Sequence, residues 1–145
     1  MYKTILVPTD GTPLSDKAIS AAVQFAQENP GCKIIGLSVA EPLPLFQVEL
    51  LSKSLESNHQ HHAKKAASAK VARIAEFAKE ANVTCETLVR ESVKPHEEIV
   101  RVANEYNCDC IFMASHGRKG LNKLFIGSQT QKVLATSSIP VLVYR

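Results

Sequence analysis

A chain of 145 residues, 45% hydrophobic and 21% charged, has the size and balance of one soluble globular domain with a single core. Its formal net charge of +3 is too mild for a nucleic-acid or membrane-surface protein, and 6% aromatics without tryptophan offers few stacking platforms for bases. No apolar run reaches the roughly 18 residues of a transmembrane helix, and the start of the chain reads as a strand followed by proline rather than a signal peptide, so a cytoplasmic protein is expected.

Residues 4–7 form a wholly apolar β-type run ending at Pro8, the pattern of a strand buried on both faces at the centre of a parallel sheet. After it Thr12 can cap a helix, Pro13 can take the first helical position, and Leu14, Ala18, Ala22 and Phe25 recur at helical spacing until residues 29–31 stop it. Residues 33–39 read as a second strand, and residues 41–44, with Pro42 and Pro44, as a loop. From about 46 to 81 there is no Gly or Pro, and Ala67, Val71, Ile74 and Ala78 define one apolar stripe on a long helix. Its first part, residues 47–62, holds poorer helix formers and reads alternatively as a flap. Residues 83–89 alternate as a third strand. Pro95 opens a helix with Ile99, Val102, Ala103 and Tyr106 inward, residues 110–113 make a fourth strand, 128–137 a helix and 141–144 the last strand. This βαβαβαβαβ order predicts an α/β fold, one domain over residues 1–145, with a parallel sheet covered by helices on both faces and right-handed crossovers.

Cys32, Cys85, Cys108 and Cys110 have neither Cys-x-x-Cys nor zinc-ribbon spacing and read as core thiols, with Cys108 and Cys110 sharing one face at the start of a strand. His59 and His62 would stand one helical turn apart beside His61, a spacing open to zinc. Only Glu56 lies near them, and a solvated polar face is the plainer reading.

Residues 113–130 carry the strongest functional pattern, an apolar run joined to a helix through a basic loop holding Gly117, Gly120 and Gly127. Ser128 and Gln131 fit a capping box, which would leave the amides of Gly127 to Thr130 as unpaired donors at a helix N-terminus, a place that attracts phosphate. Arg118, Lys119 and Lys123 add positive charge to the approach. Asp10, leaving the first strand, suits a ribose hydroxyl or Mg²⁺, or else is a turn aspartate. No Walker pattern is present. His116 lacks a nucleophile with a third partner, so it fits a loop-ordering role better than a catalytic one.

Ser115-His116-Gly117, nine residues, then Gly127-Ser128 resembles the nucleotide-binding signature of the universal stress protein family, Gly-x-x-Gly, nine residues, Gly-Ser or Gly-Thr, with Ala114 where the first glycine would stand. The resemblance runs the whole length, from residues 2–11 to residues 139–144. It implies the family's ATP-binding branch and a Rossmann-like five-stranded sheet of order 3-2-1-4-5, with a ligand crevice at the carboxyl ends of the first and fourth strands. It further implies that Pro8, Thr9 and Asp10 line the nucleotide, that Val39 offers main-chain groups to the adenine edge, and that Met113, Ala114 and Gly117 flank the ligand. By the same resemblance Gly127, Ser128, Gln129 and Thr130 bind phosphates by amides and hydroxyls, with Arg118 beside them. ATP, or ADP or AMP, with Mg²⁺ on Asp10 would be the ligands, and a homodimer would pair through residues 141–144, an apolar edge that itself asks for a cover.

The expected function is a cytoplasmic adenine-nucleotide-binding stress-response protein that acts through a partner protein. The alternatives are a slow ATPase or autophosphorylating enzyme, and a dimeric interaction module that binds no nucleotide, the latter prompted by Ala114. If residue 114 keeps β-region angles, its methyl crowds a ligand without straining the chain.

Overall fold

Strand β1 (Thr4–Pro8) runs through the middle of the molecule, and Ile5, Leu6 and Val7 are each fully buried. Successive side chains of a strand point to opposite faces, so β1 needs cover on both sides. The computed structural model describes residues 2–50, 52–116 and 126–145. Along them follow α1 (Pro13–Glu28), β2 (Lys33–Ala40), the single turn α2 (Leu45–Val48), α3 (Lys53–Glu80), β3 (Cys85–Glu91), α4 (Pro95–Glu105), β4 (Cys110–Ala114), α5 (Ser128–Thr136) and β5 (Val141–Tyr144). The strands form one parallel sheet in the order β3-β2-β1-β4-β5, as expected. Helices α1 and α3 bury Ile19, Ala22, Val23, Ile74 and Ala78 against Ile5 and Val7, while α4 and α5 bury Ile99, Val102 and Val133 against Leu6 on the other face. The winding therefore reverses between β1 and β4.

Local chemistry explains most boundaries. Thr12 caps α1 by accepting the Ser15 amide, with Pro13 directly behind it. The buried residues of α3 are Ala67, Val71, Ile74 and Ala78, the stripe read from the sequence. The long helix is divided, however. Ser52 takes extended angles as the N-cap of α3, so α2 stands apart, while residues 53–62 of the doubtful part are helical and largely exposed. The third strand starts later than expected, at Cys85. Asn82 enters the left-handed region (φ 55°) and the Val83 amide closes α3 on Ala78, so residue 83 belongs to the helix cap.

All four cysteines are free thiols, Cys85 partly buried and the others buried. Burial pushes Cys85 and Cys108 up to about 11, so both stay protonated at neutral pH. Cys108 and Cys110 do not share a face. Cys108 packs with the α4 and α5 cluster and Cys110 with the α1 and α3 cluster. Strand β4 begins only at Cys110, and the turn through Asn107 (φ 50°), with the Cys108 amide on the Ala103 carbonyl, breaks the two-residue period.

β1 pairs with β4 through Ile5–Cys110 and Leu6–Ile111, a shorter ladder than it makes with β2. Asp109 reinforces this short junction. Its carboxylate accepts the amides of Lys3 (2.6 Å) and Thr4 (2.9 Å), and its own amide donates to the Thr4 carbonyl. The two amides hold the carboxyl below its usual range. The stability that this carboxylate contributes is complete above the unfolded-state pKa, about 3.9, and is lost as pH falls through the depressed folded-state value. Asp109→Asn should therefore lower the urea midpoint at pH 7, and its gap from the wild type should close as the pH drops below about 4. A gap that persists unchanged in acid would show that the charge at residue 109 is not what holds the junction.

Candidate functional site

The carboxyl ends of β1 and β4 open side by side, and each is followed by a loop tied down by hydrogen bonds. After β1, the Thr9 amide donates to the Leu37 carbonyl at 2.8 Å. The Thr9 hydroxyl oxygen, buried, accepts the Gly11 amide at 3.1 Å and the Ser15 hydroxyl at 2.9 Å. Asp10 Oδ1 accepts both the amide (3.0 Å) and the hydroxyl (2.7 Å) of Thr12. Asp10 is thus a turn aspartate, and it stands half-buried after the end of β1. Pro8 ends β1 half-buried. Gly11 takes φ 79°, and the aliphatic stem of Lys70 lies about 3 Å from where a Cβ would stand on it, so α3 presses on this turn.

After β4, the chain returns to the strand end at Gly127. The Gly127 amide donates to the Ser115 carbonyl at 2.7 Å, and a Cβ on Gly127 would meet the Cα of His116 at 2.9 Å. This glycine is needed for close backbone approach, and its amide is already engaged. Gly127, not Ser128, is the N-cap, with φ −61° and ψ 151°, and its carbonyl accepts the Gln131 amide. The expected capping box is absent. With Gly127 as the cap there is no capping side chain and Gln131 falls one position beyond the third helical residue that a box requires, and its side chain donates instead to the Ile126 carbonyl at 2.6 Å. The amides of Ser128, Gln129 and Thr130 precede the first helical hydrogen bond, and among the described residues no side chain caps them.

The hydroxyls divide differently from the expectation. Thr130 is buried and donates to the Ala114 carbonyl at 3.0 Å, which pins α5 to the end of β4 and takes that hydroxyl away from any ligand. Ser128 is exposed. Gln129 turns its side-chain oxygen to His96 at the start of α4. Ala114 is the last residue of β4, paired with Tyr144 and without positive φ, so alanine is unstrained there. Met113 is buried in the α4 and α5 cluster beside Leu6 and Val133, and its side chain faces the core rather than the crevice. Gly117 and Arg118, with Gly120, Lys119 and Lys123, lie outside the described residues.

Val39 is positioned by strand parity. Leu37 gives its carbonyl to Thr9 on the β1 side, and Ala40 gives its carbonyl to Ser92 on the β3 side. Residues two apart on a strand direct their main-chain groups the same way, so the N–H and C=O of Val39 point toward β1. The β1 ladder stops at Pro8–Leu37, one step short, and these groups open above it into the crevice. The structure therefore brings together Pro8, Thr9, Asp10, Val39, Ala114 and the first turn of α5. His59, His61 and His62 lie exposed on α3, and among the described residues no three His, Cys, Asp or Glu side chains converge as a metal cluster. No helix is long and apolar enough to cross a membrane among the described residues. Sequence reasoning missed His96, Lys70 and the Ser115 carbonyl, none of which carries a mark in the sequence.

Residues 1–145 match the model of the Universal stress protein family. Universal stress protein MJ0531 of Methanocaldococcus jannaschii is 30% identical over 151 residues, spanning 100% of this chain and 83% of the relative. The solved structure of protein MJ0577, from the same organism, matches with a TM-score of 0.85 at 28% identity over 99% of this chain and 96% of that one. At lower identity the fold is shared with a universal stress protein in complex with cAMP (TM-score 0.68, 22% identity, 99% of this chain and 97% of that one). It is shared also with the Archaeoglobus fulgidus protein in complex with dAMP (TM-score 0.70, 15% identity, 99% and 98%). With the family model matched from the first residue to the last and the expected sheet order present, this chain belongs to the universal stress protein family.

Proposed function

We propose that this chain is a cytoplasmic stress-response protein that binds an adenine nucleotide, ATP foremost and ADP or AMP by the same contacts, in the crevice between β1 and β4. The observation that carries the reading is the first turn of α5, uncapped among the described residues, whose amides at Ser128, Gln129 and Thr130 are held at the end of β4 by Gly127–Ser115 and Thr130–Ala114. A helix start offers free donors and the positive end of its dipole to phosphate. Val39 would exchange main-chain hydrogen bonds with the adenine edge, and Pro8, Thr9 and Asp10 would lie along the ribose. The two complexes of this fold with cAMP and dAMP support an adenine carrying phosphate as the ligand chemistry. Mg²⁺ would be held between the phosphates with Asp10 as its protein ligand, a hard oxygen donor for a hard cation. Gly117 and Arg118 would complete the phosphate side, and the crevice would serve binding rather than turnover.

Magnesium ATP at a hundred times its Kd should raise the melting temperature by about 5–10 °C, since a ligand of the folded state stabilises it by mass action. Gly127 is a poor place to test the amides, because even a methyl there must displace the His116 backbone. Ser128→Pro is cleaner. Residue 128 is the first helical position, where proline fits, and Gly127 already has the extended angles that a following proline requires. This variant should fold yet bind ATP about tenfold or more weakly, having lost one amide donor to a charged group, while Ser128→Ala, which keeps the amide, should bind within about threefold of wild type. Equal affinity in all three would remove the phosphate assignment. A phosphate-release assay on the same samples reads any turnover.

The same reading includes a homodimer through β5, an edge strand whose Leu142 is 38% exposed. Val141 packs against the core, so charging it would damage the fold, whereas Leu142→Lys alters the exposed face alone. The wild type should sediment as a dimer at micromolar concentration and Leu142→Lys as a monomer. A monomeric wild type ends the proposal.

A further inference from the structure

The first turns of α4 and α5 are joined by one side chain. Gln129 Oε1 accepts the His96 amide at 3.1 Å and lies 3.1 Å from His96 Nδ1. A backbone N–H can only donate, so the group facing it is the carbonyl oxygen of Gln129, and Nδ1 must carry a proton to bond the same oxygen. In the neutral ring Nε2 is then the bare nitrogen, 4.0 Å from Glu97 Oε1. The His96 amide is one of the orphan donors at the start of α4, where the side chain of the N-cap Lys94 reaches Glu97 and caps no amide, so α4 takes its cap from α5. The His96 side chain is only 14% exposed, which shields the link from competing water.

We infer that His96 is a positioning residue for the amides at the start of α5, acting through Gln129, an inference that rests on the nucleotide reading of that turn. Amide donors bind phosphate well only when aligned, since hydrogen bonds weaken steeply as the donor angle bends. Among the described residues, the other hydrogen-bond tethers of this turn, Gly127 to Ser115 and Thr130 to Ala114, both run to the end of β4. Two anchors on one side, with Val133 packed a turn further along, restrain the helix start least against tilting about the line between them. Gln129 to His96 is the anchor on the other side, and it fixes the direction in which the amides of Ser128 and Thr130 point. His96 touches no ligand in this arrangement.

The test compares wild type, His96→Ala and His96→Asn, measuring the Kd of magnesium ATP and of adenosine by calorimetry, with the melting temperature of each protein alone. Asparagine places an Nδ2 donor close to where Nδ1 stands and keeps the bond to Gln129. His96→Ala should weaken ATP by about three- to tenfold, the worth of one lost hydrogen bond, while leaving adenosine affinity unchanged, and His96→Asn should restore ATP binding. Equal losses for ATP and adenosine, no loss for ATP, or an asparagine variant as weak as alanine would each overturn the positioning role while leaving nucleotide binding intact. A wild type that binds neither ligand would instead overturn the underlying reading, and this inference with it.

Discussion

The short ladder between β1 and β4 is the constraint on which everything else rests. Strands β2 and β3 with their helices form one half of the molecule, and β4 and β5 with theirs form the other. The two sheet halves meet where Ile5 pairs with Cys110 and Leu6 with Ile111. Because the helices change face at this line, no crossover fills the space beyond the strand ends, and a crevice is left there. Asp109 clamps the opposite end of the same junction by holding two amides of the β1 start. The sheet is thus pinned at its base and open at its top.

The side chains around that opening are mostly spent on the protein itself. The Thr9 hydroxyl takes Gly11 and Ser15, Asp10 Oδ1 takes Thr12, and Thr130 serves Ala114. A buried hydroxyl left without a partner costs about 1–3 kcal/mol, comparable to what one ligand contact returns, so committing these groups favours a rigid rim over a wide choice of contacts. Among the described residues, the groups left open at the rim are largely backbone: the Val39 edge and the amides of Ser128, Gln129 and Thr130. Backbone groups need no side-chain ordering on binding, which lowers the entropic cost of recognition.

The fold was legible because burial leaves a periodic trace. The apolar run of β1, the stripe Ala67, Val71, Ile74 and Ala78, and Pro13 and Pro95 at helix starts are each local, and each appeared where the sequence pointed. The errors arose where a tertiary bond outbid a local one. Ser128 and Gln131 satisfy a capping box in sequence, but the bond from the Gly127 amide to Ser115 seats Gly127 as the cap, and the helix starts one residue too early for that box. Cys108 and Cys110 obey strand parity only if the strand begins early enough, and a turn at Asn107 prevents it. The site was half legible: glycine and serine spacing marks the loop, whereas the Val39 edge and the His96 to Gln129 bond depend on which elements become neighbours and leave no pattern in the chain.

Gly127 sits with its missing side chain directed at the Cα of His116, 2.9 Å from where a Cβ would be. Any chain that folds its loop this way must keep a glycine there whether or not a nucleotide ever arrives. The glycine of the signature is therefore a certificate of loop closure, not of occupancy. A genome survey that sorts such proteins into binders and non-binders by that glycine alone would be sorting by architecture.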